Sequence, residues 1–173
     1  KGMPDLNWLG EIGPRLQITL ARAARDAKID LEIPVRAVVE TNFTNFDFRG
    51  FVAAPRLAYQ HKNFFRRGLE FKLSVGGNFA TTELADYFYR VPEGFETAAR
   101  SRYKANGGYM GSSLNFGLNR PLTRRIQLYV LGGVNSHHGA ANENSPLFRD
   151  KTTFAVGAAV RWSLYQSDRR GYR

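Results

Sequence analysis

The sequence predicts an all-β protein: an antiparallel transmembrane β-barrel of the outer-membrane type, with seven strands in this chain. Three observations predict it. Apolar residues recur at every second position over long stretches. The links between these stretches alternate between short and long, and basic residues gather on the short side. Most stretches run about 10–13 residues, where globular strands usually have about 5–6. At about 3.3 Å per residue and a 45° tilt, 11 residues climb roughly 25 Å, the height of an outer-membrane apolar band.

The first stretch sets Ile12, Leu16, Ile18 and Leu20 against Glu11, Arg15, Gln17 and Thr19. The second sets Ile29, Leu31, Ile33, Val35, Ala37 and Val39 against Lys28, Asp30, Glu32, Arg36 and Glu40. Residues 51–60, 69–79, 109–119 and 126–135 repeat the pattern. The last is the most regular, with Phe154, Val156, Ala158, Val160, Trp162 and Leu164 on one face. Pro14, Pro34 and Pro55 fall inside strands, and each lacks a ladder donor, so a bulge or rim is expected at each.

Alternation alone fits a soluble barrel as well as a membrane one. Links and charge separate the two. The short links are 21–27, 61–67 and 120–124, and the long-side links are 41–47, 80–106 and 136–150. The short side carries Arg22, Arg25, Lys62, Arg66, Arg67, Arg120, Arg124 and Arg125, with Arg169, Arg170 and Arg173 in the tail. The surplus of +10 is therefore largely a one-sided basic rim, suited to anionic headgroups or to an acidic partner. The polar faces nearly balance: Glu11, Asp30, Glu32, Glu40 and Glu70 against Arg15, Lys28, Arg36, Arg56, Lys72 and Arg161. Such charges in a narrow interior require pairing, which predicts a lumen crossed by ion pairs. Aromatic residues cluster towards strand ends, where amphipathic rings favour the two interfaces.

The 173 residues are expected to form one domain, with 80–106 as a long extracellular loop and 166–173 as a basic periplasmic tail. With 13 Phe, 8 Tyr and 2 Trp the chain is not a disordered one. No Cys is present, which excludes a disulfide scaffold and a Cys-ligated metal and fits an oxidising compartment. No run approaches 18 apolar residues, so no transmembrane helix is expected. Bacterial barrels carry even strand numbers, and seven is odd. An odd number of strands is therefore expected before Lys1, giving about 8–12 in the full protein.

Little in the sequence points to catalysis or ligands. His137 and His138 are adjacent in a long loop and point apart if extended, and His61 has no acid nearby in sequence. Ser112 and Ser113 have no His in register, and Glu93 and Glu96 read as solvated loop acids. The glycine motifs GGNF, NGGY and LGGV precede no helix and are not phosphate loops. No enzyme activity, metal, cofactor or nucleic-acid partner is expected.

The segments ADYFYRVP (85–92), SRYKANGGY (101–109), GAANENSPLFR (139–149) and DKTTFAVGAAVRWSLY (150–165) resemble the MipA/OmpV family, MltA-interacting protein and outer-membrane protein V. EIGPRL (11–16) and RGFVAAPRLAY (49–59) look like its earlier strands. The resemblance implies a Gram-negative outer-membrane barrel in contact with lipid and lipopolysaccharide. One member is described as a scaffold between a lytic murein transglycosylase and a bifunctional murein synthase. The family has no established catalytic residues. Two functions are expected from this. The first is a scaffold that offers Arg22, Arg25, Lys62, Arg66, Arg67, Arg124, Arg125, Arg169 and Arg170 to a periplasmic murein hydrolase or synthase. The second is a narrow solute channel lined by Glu11, Arg15, Glu32, Arg36, Arg56, Glu70, Lys72 and Arg161.

Overall fold

The computed structural model describes residues 2–3 and 6–164. Among them, nine strands form one antiparallel sheet: β1 (Trp8–Ile12), β2 (Arg15–Ala24), β3 (Ala27–Thr41), β4 (Phe46–Ala53), β5 (Arg56–His61), β6 (Glu70–Ala80), β7 (Gly108–Pro121), β8 (Ile126–Ser136) and β9 (Thr152–Trp162). One helix, α1 (Thr82–Tyr89), lies between β6 and β7. No described helix is long and apolar enough to cross a membrane.

The nine segments lie on seven strand paths. β1 and β2 pair in line along one side of β3, while β4 and β5 pair in line along its other side. The expectation of seven unbroken strands is corrected here, and proline is the reason. Pro14 separates β1 from β2, and Pro55 separates β4 from β5, because neither can donate to the ladder. Pro34 stays inside β3. The three lie in a row across the sheet: Val35 N–H donates to Pro14 O at 3.0 Å, Ala54 N–H to Pro34 O at 3.1 Å, and Gly77 N–H to Pro55 O at 3.1 Å. Backbones crowd along this crease, so glycine recurs beside it. A Cβ on Gly13 would stand 2.1 Å from Val35 O, and one on Gly76 would stand 2.3 Å from Pro55 O.

A second correction concerns the start of the third path. Phe46, expected in the link 41–47, and Phe48, expected ahead of the stretch that begins at 51, both belong to β4. Pairing shifts between Val38 and Val39, where β4 places Arg49 and Gly50 as a bulge. Gly50 has φ +115°, and a Cβ there would meet Thr81 Oγ1 at 2.2 Å, so the start of α1 can sit against it.

The sheet is curled with its polar face inward. Glu32 lies on β3 and Lys72 on β6, two strand spacings apart, yet their charged groups meet over β5. Asp30 and Glu32 are each 1% exposed, whereas Val75 and Leu57, on the other face of central strands, are 54% and 47% exposed. Burial is thus inverted relative to a water-soluble sheet, in which apolar residues take the covered side. The apolar face runs unbroken through Leu31, Leu57, Val75, Leu114, Val134 and Phe154, which face one another from strand to strand in register. Phe116 also covers Gly132 on that face, where an added Cβ would stand 2.4 Å from its ring.

Among the described residues the sheet is open: β9 pairs with β8 alone, and β1 and β2 pair with β3 alone. Links of the two lengths sort to opposite ends. The β2–β3, β5–β6 and β7–β8 turns share one end. The β3–β4 link, the α1 segment and residues 137–151 share the other.

Segment 80–106 was expected as loop, and it contains α1. Leu84 and Ala85 bury one side of the helix, and its turns begin with Ala85 N–H donating to Thr81 O at 3.0 Å. Beyond it, Val91 and Tyr103 form a bridge with bonds of 2.9 and 3.2 Å.

If the crease requires bare backbone, Gly76→Ala should lower unfolding free energy by about 1–3 kcal/mol through overpacking. Gly157→Ala, where nothing lies within 4 Å, should change it by less than about 0.5 kcal/mol. Equilibrium denaturation of the two variants followed by circular dichroism checks the contrast.

Candidate functional site

Three carboxylates anchor the polar face, and all three come from β3, where alternate residues point inward. Glu32 accepts from Arg56 Nε at 2.7 Å and from Lys72 Nζ at 2.5 Å, so one buried acid holds two cations from neighbouring strand paths. Asp30, one pleat closer to the short turns, accepts from Gln17 Nε2 at 2.7 Å and Thr19 Oγ1 at 2.8 Å and pairs with Lys28 at 2.6 Å. Glu40, at the opposite end, is held by Arg49 and by Asn7 Nδ2 at 2.6 Å. The Arg49 guanidinium also lies 5.2 Å above the Tyr87 ring.

Of the expected interior charges, Glu32, Arg56 and Lys72 come together as one cluster. Arg36 pairs separately with Glu11 at 3.0 Å. Glu70 joins neutral partners instead: Gln60 Nε2 donates to it, and Asn119 Nδ2 does so at 3.2 Å. Arg15 and Arg161 are exposed on the two outermost paths and make no ion pair among the described residues. Beside the Glu32 cluster, Arg56, Lys72, Ser74, Asn115, Asn119 and Tyr129 border a cavity of about 430 Å³ on the polar face.

The Glu40 partners were not legible as a group. Arg49 reaches Glu40 only because the bulge turns it inward, and Asn7 and Tyr87 arrive from remote segments. A second hidden cluster ties the long links together. Asn142 is fully buried: its side-chain oxygen accepts from Asn106 N–H at 2.9 Å, and its Nδ2 donates to Asn106 O at 2.8 Å. Ser145 Oγ donates to Tyr89 O at 2.9 Å, and the Phe148 ring stacks on Tyr89 at 5.9 Å. Burial there pushes the Tyr89 phenol upward. Glu143 accepts from Lys151 and from Gly139 N–H, which hold its carboxyl below the usual range. His137 packs edge-on against Phe148 and bonds Met110 O at 2.8 Å. Among the described residues no three His, Asp or Glu side chains gather as metal ligands.

The basic rim is assembled by the topology alone. Arg22 and Arg25 at the β2–β3 turn, Lys62, Arg66 and Arg67 at the β5–β6 turn, and Arg124 and Arg125 at the β7–β8 turn are all exposed at one end of the sheet. None makes an ion pair among the described residues. Arg169 and Arg170 lie outside the described residues.

A single antiparallel sheet with paired charges on its covered face, apolar residues on the other and exposed cations at one end defines an all-β protein. The chain belongs to the MipA family: the family model described as MltA-interacting protein MipA matches residues 1–164. No curated protein and no solved structure matches the chain.

The Glu32 clamp sets a graded expectation. Glu32→Ala should destabilise the fold by about 1–3 kcal/mol, less than a fully buried pair because Arg56 and Lys72 keep access to water. Glu11→Ala, which removes an acid 43% exposed at its side chain, should cost about 0–1 kcal/mol. Comparing the two denaturation midpoints tests the order.

Proposed function

We propose that the sheet is part of the wall of an outer-membrane β-barrel that serves as a non-enzymatic scaffold in the cell envelope. In this reading its short-turn rim anchors a periplasmic murein-remodelling enzyme. The inverted burial carries the reading. Central strands that expose Leu57, Leu73 and Val75 while covering Asp30 and Glu32 suit a solvent of hydrocarbon outside and polar groups within. Lipid and lipopolysaccharide then contact the apolar face. The first and seventh paths run in the same direction, so antiparallel closure takes an odd number of further strands between β9 and β2.

Two features support a docking role. The family is named for interaction with MltA, and the rim offers cations that make no ion pair among the described residues. Unpaired exposed charge contributes long-range attraction and orientation to an acidic surface. The interior supports conduction less well. Glu32, Arg56 and Lys72 neutralise one another across the face, and the Asn142 cluster packs the long links together. On this reading reconstituted protein passes little or no ion current in a planar bilayer. Steady current sensitive to Arg161→Ala would favour the channel instead.

Two measurements test the proposal. The purified chain should need detergent to stay monodisperse, and a soluble monomer without detergent would overturn the membrane wall. Reversing Arg22, Arg25, Arg124 and Arg125 to Glu should weaken capture of a purified MltA-class transglycosylase by about tenfold or more at low salt. Unchanged capture by a correctly folded variant would overturn the docking role.

A further inference from the structure

The turn between β5 and β6 differs from the other two turns of the rim. Its backbone is tied down on several sides. Asn63 is the hub: its side chain donates to Asp26 Oδ2 at 3.0 Å and accepts from Gly68 N–H at 2.9 Å. Phe64 N–H donates to Leu69 O at 2.8 Å, and Lys62 N–H donates to Asp26 O at 2.9 Å. This scaffold holds Phe65 at φ +56°, in the left-handed region that a bulky residue rarely occupies, and leaves its side chain 90% exposed.

The direction of the turn is fixed by aromatic contacts. Tyr59, His61 and Phe71 stand on the apolar face, in register with Ile29, Ala27 and their neighbours. Phe64 stacks on Phe71 at 4.6 Å with 20° between the ring planes, meets His61 at 5.8 Å, and meets Phe65 edge-on at 4.3 Å. The turn therefore leans over the apolar face and continues it past the last ladder pair. Arg66 and Arg67 are exposed beside Phe65, and Asp26 of the adjoining β2–β3 turn is engaged by Asn63.

We propose that this turn is a lipid anchor: Phe64 and Phe65 enter the headgroup boundary of the leaflet at the short-turn end, and Arg66 and Arg67 bind anionic phospholipid phosphates there. An aromatic body with a cationic fringe, continuous with an apolar wall, matches the chemistry of that boundary. A protein partner could also meet two cations. It would not account for aromatic rings folded onto the outer face, away from the interior side where Arg22, Lys28 and Lys62 border a separate cavity. The inference rests on the membrane-wall reading and divides the rim. The β5–β6 turn faces lipid, which leaves the β2–β3 and β7–β8 turns for a protein.

The test places one tryptophan at a time in the full chain after Trp8→Phe and Trp162→Phe. Phe65→Trp is conservative at an exposed site, and Val75→Trp reports on the wall. Each is reconstituted into phosphatidylcholine vesicles with or without phosphatidylglycerol, and emission is quenched by brominated lipid. The expected result is quenching at both positions. The signal at 65 should be roughly halved without the anionic lipid or with Arg66→Glu and Arg67→Glu, while that at 75 stays unchanged. A quenched 75 with a water-exposed 65 overturns the anchor, leaves the wall intact and hands the turn to a protein partner. An unquenched 75 overturns the wall and the anchor with it.

Discussion

The structure depends on the pairing of buried carboxylates along one strand. β3 puts Asp30, Glu32 and Glu40 on its covered face, and an uncompensated buried carboxylate would cost several kcal/mol. Each must be met by donors from other strands, and the donors are specific: Gln17 and Thr19 from β2, Arg56 from β5, Lys72 from β6, Arg49 from β4. A one-residue slip of any neighbour would turn its donor to the opposite face. The acids therefore act on register. They pin β2, β4, β5 and β6 around β3, and the apolar face follows because it occupies the remaining positions.

The curl of the sheet and the charge network support each other. Lys72 reaches Glu32 across the intervening β5, and bending of β6 toward β3 shortens that reach. The proline crease provides local freedom for that bend. At Pro14 and Pro55 the ladder is interrupted, and Gly13 and Gly76 allow close backbone approach. Broken pairing would weaken a flat sheet. Here the breaks lie beside the Glu32 cluster, where side-chain bonds hold together the paths that the backbone ladder releases.

Most of the strand framework was legible because period-two alternation survives in the sequence wherever one face is apolar. All seven paths, the side of each link and the faces of Glu32, Arg56 and Lys72 follow from counting alternate residues. What was hidden arises where alternation stops. The Arg49–Gly50 bulge shifts parity by one, so Phe46 and Phe48 fall outside the alternation that begins at Phe51 and Arg49 could not be assigned to Glu40. The Asn142 and Ser145 cluster joins residues 36 and 56 positions apart through backbone groups, which leave no side-chain pattern to read. Pro14 and Pro55 were visible as irregularities, but their alignment across the sheet depends on the register of three strands at once.

The two ends of the sheet solve the same problem differently. At the long-link end, polar groups are satisfied internally: Asn142 and Ser145 bond to backbone, and Glu143 is matched by Lys151. The exposed charges left there are of both signs, Arg90, Lys104 and Arg149 with Glu96 and Asp150. At the short-turn end, the cations of three turns have no acid to meet among the described residues, although acids are plentiful elsewhere on the sheet. Folding would be easier with that charge dispersed, since like charges on adjacent turns repel. Its concentration at one end therefore has no source in the ion pairs of the described residues. The aromatic lean of the β5–β6 turn then divides the rim: Phe64 and Phe65 lie toward the apolar face, while Arg22, Arg25 and Lys62 border a cavity on the interior side.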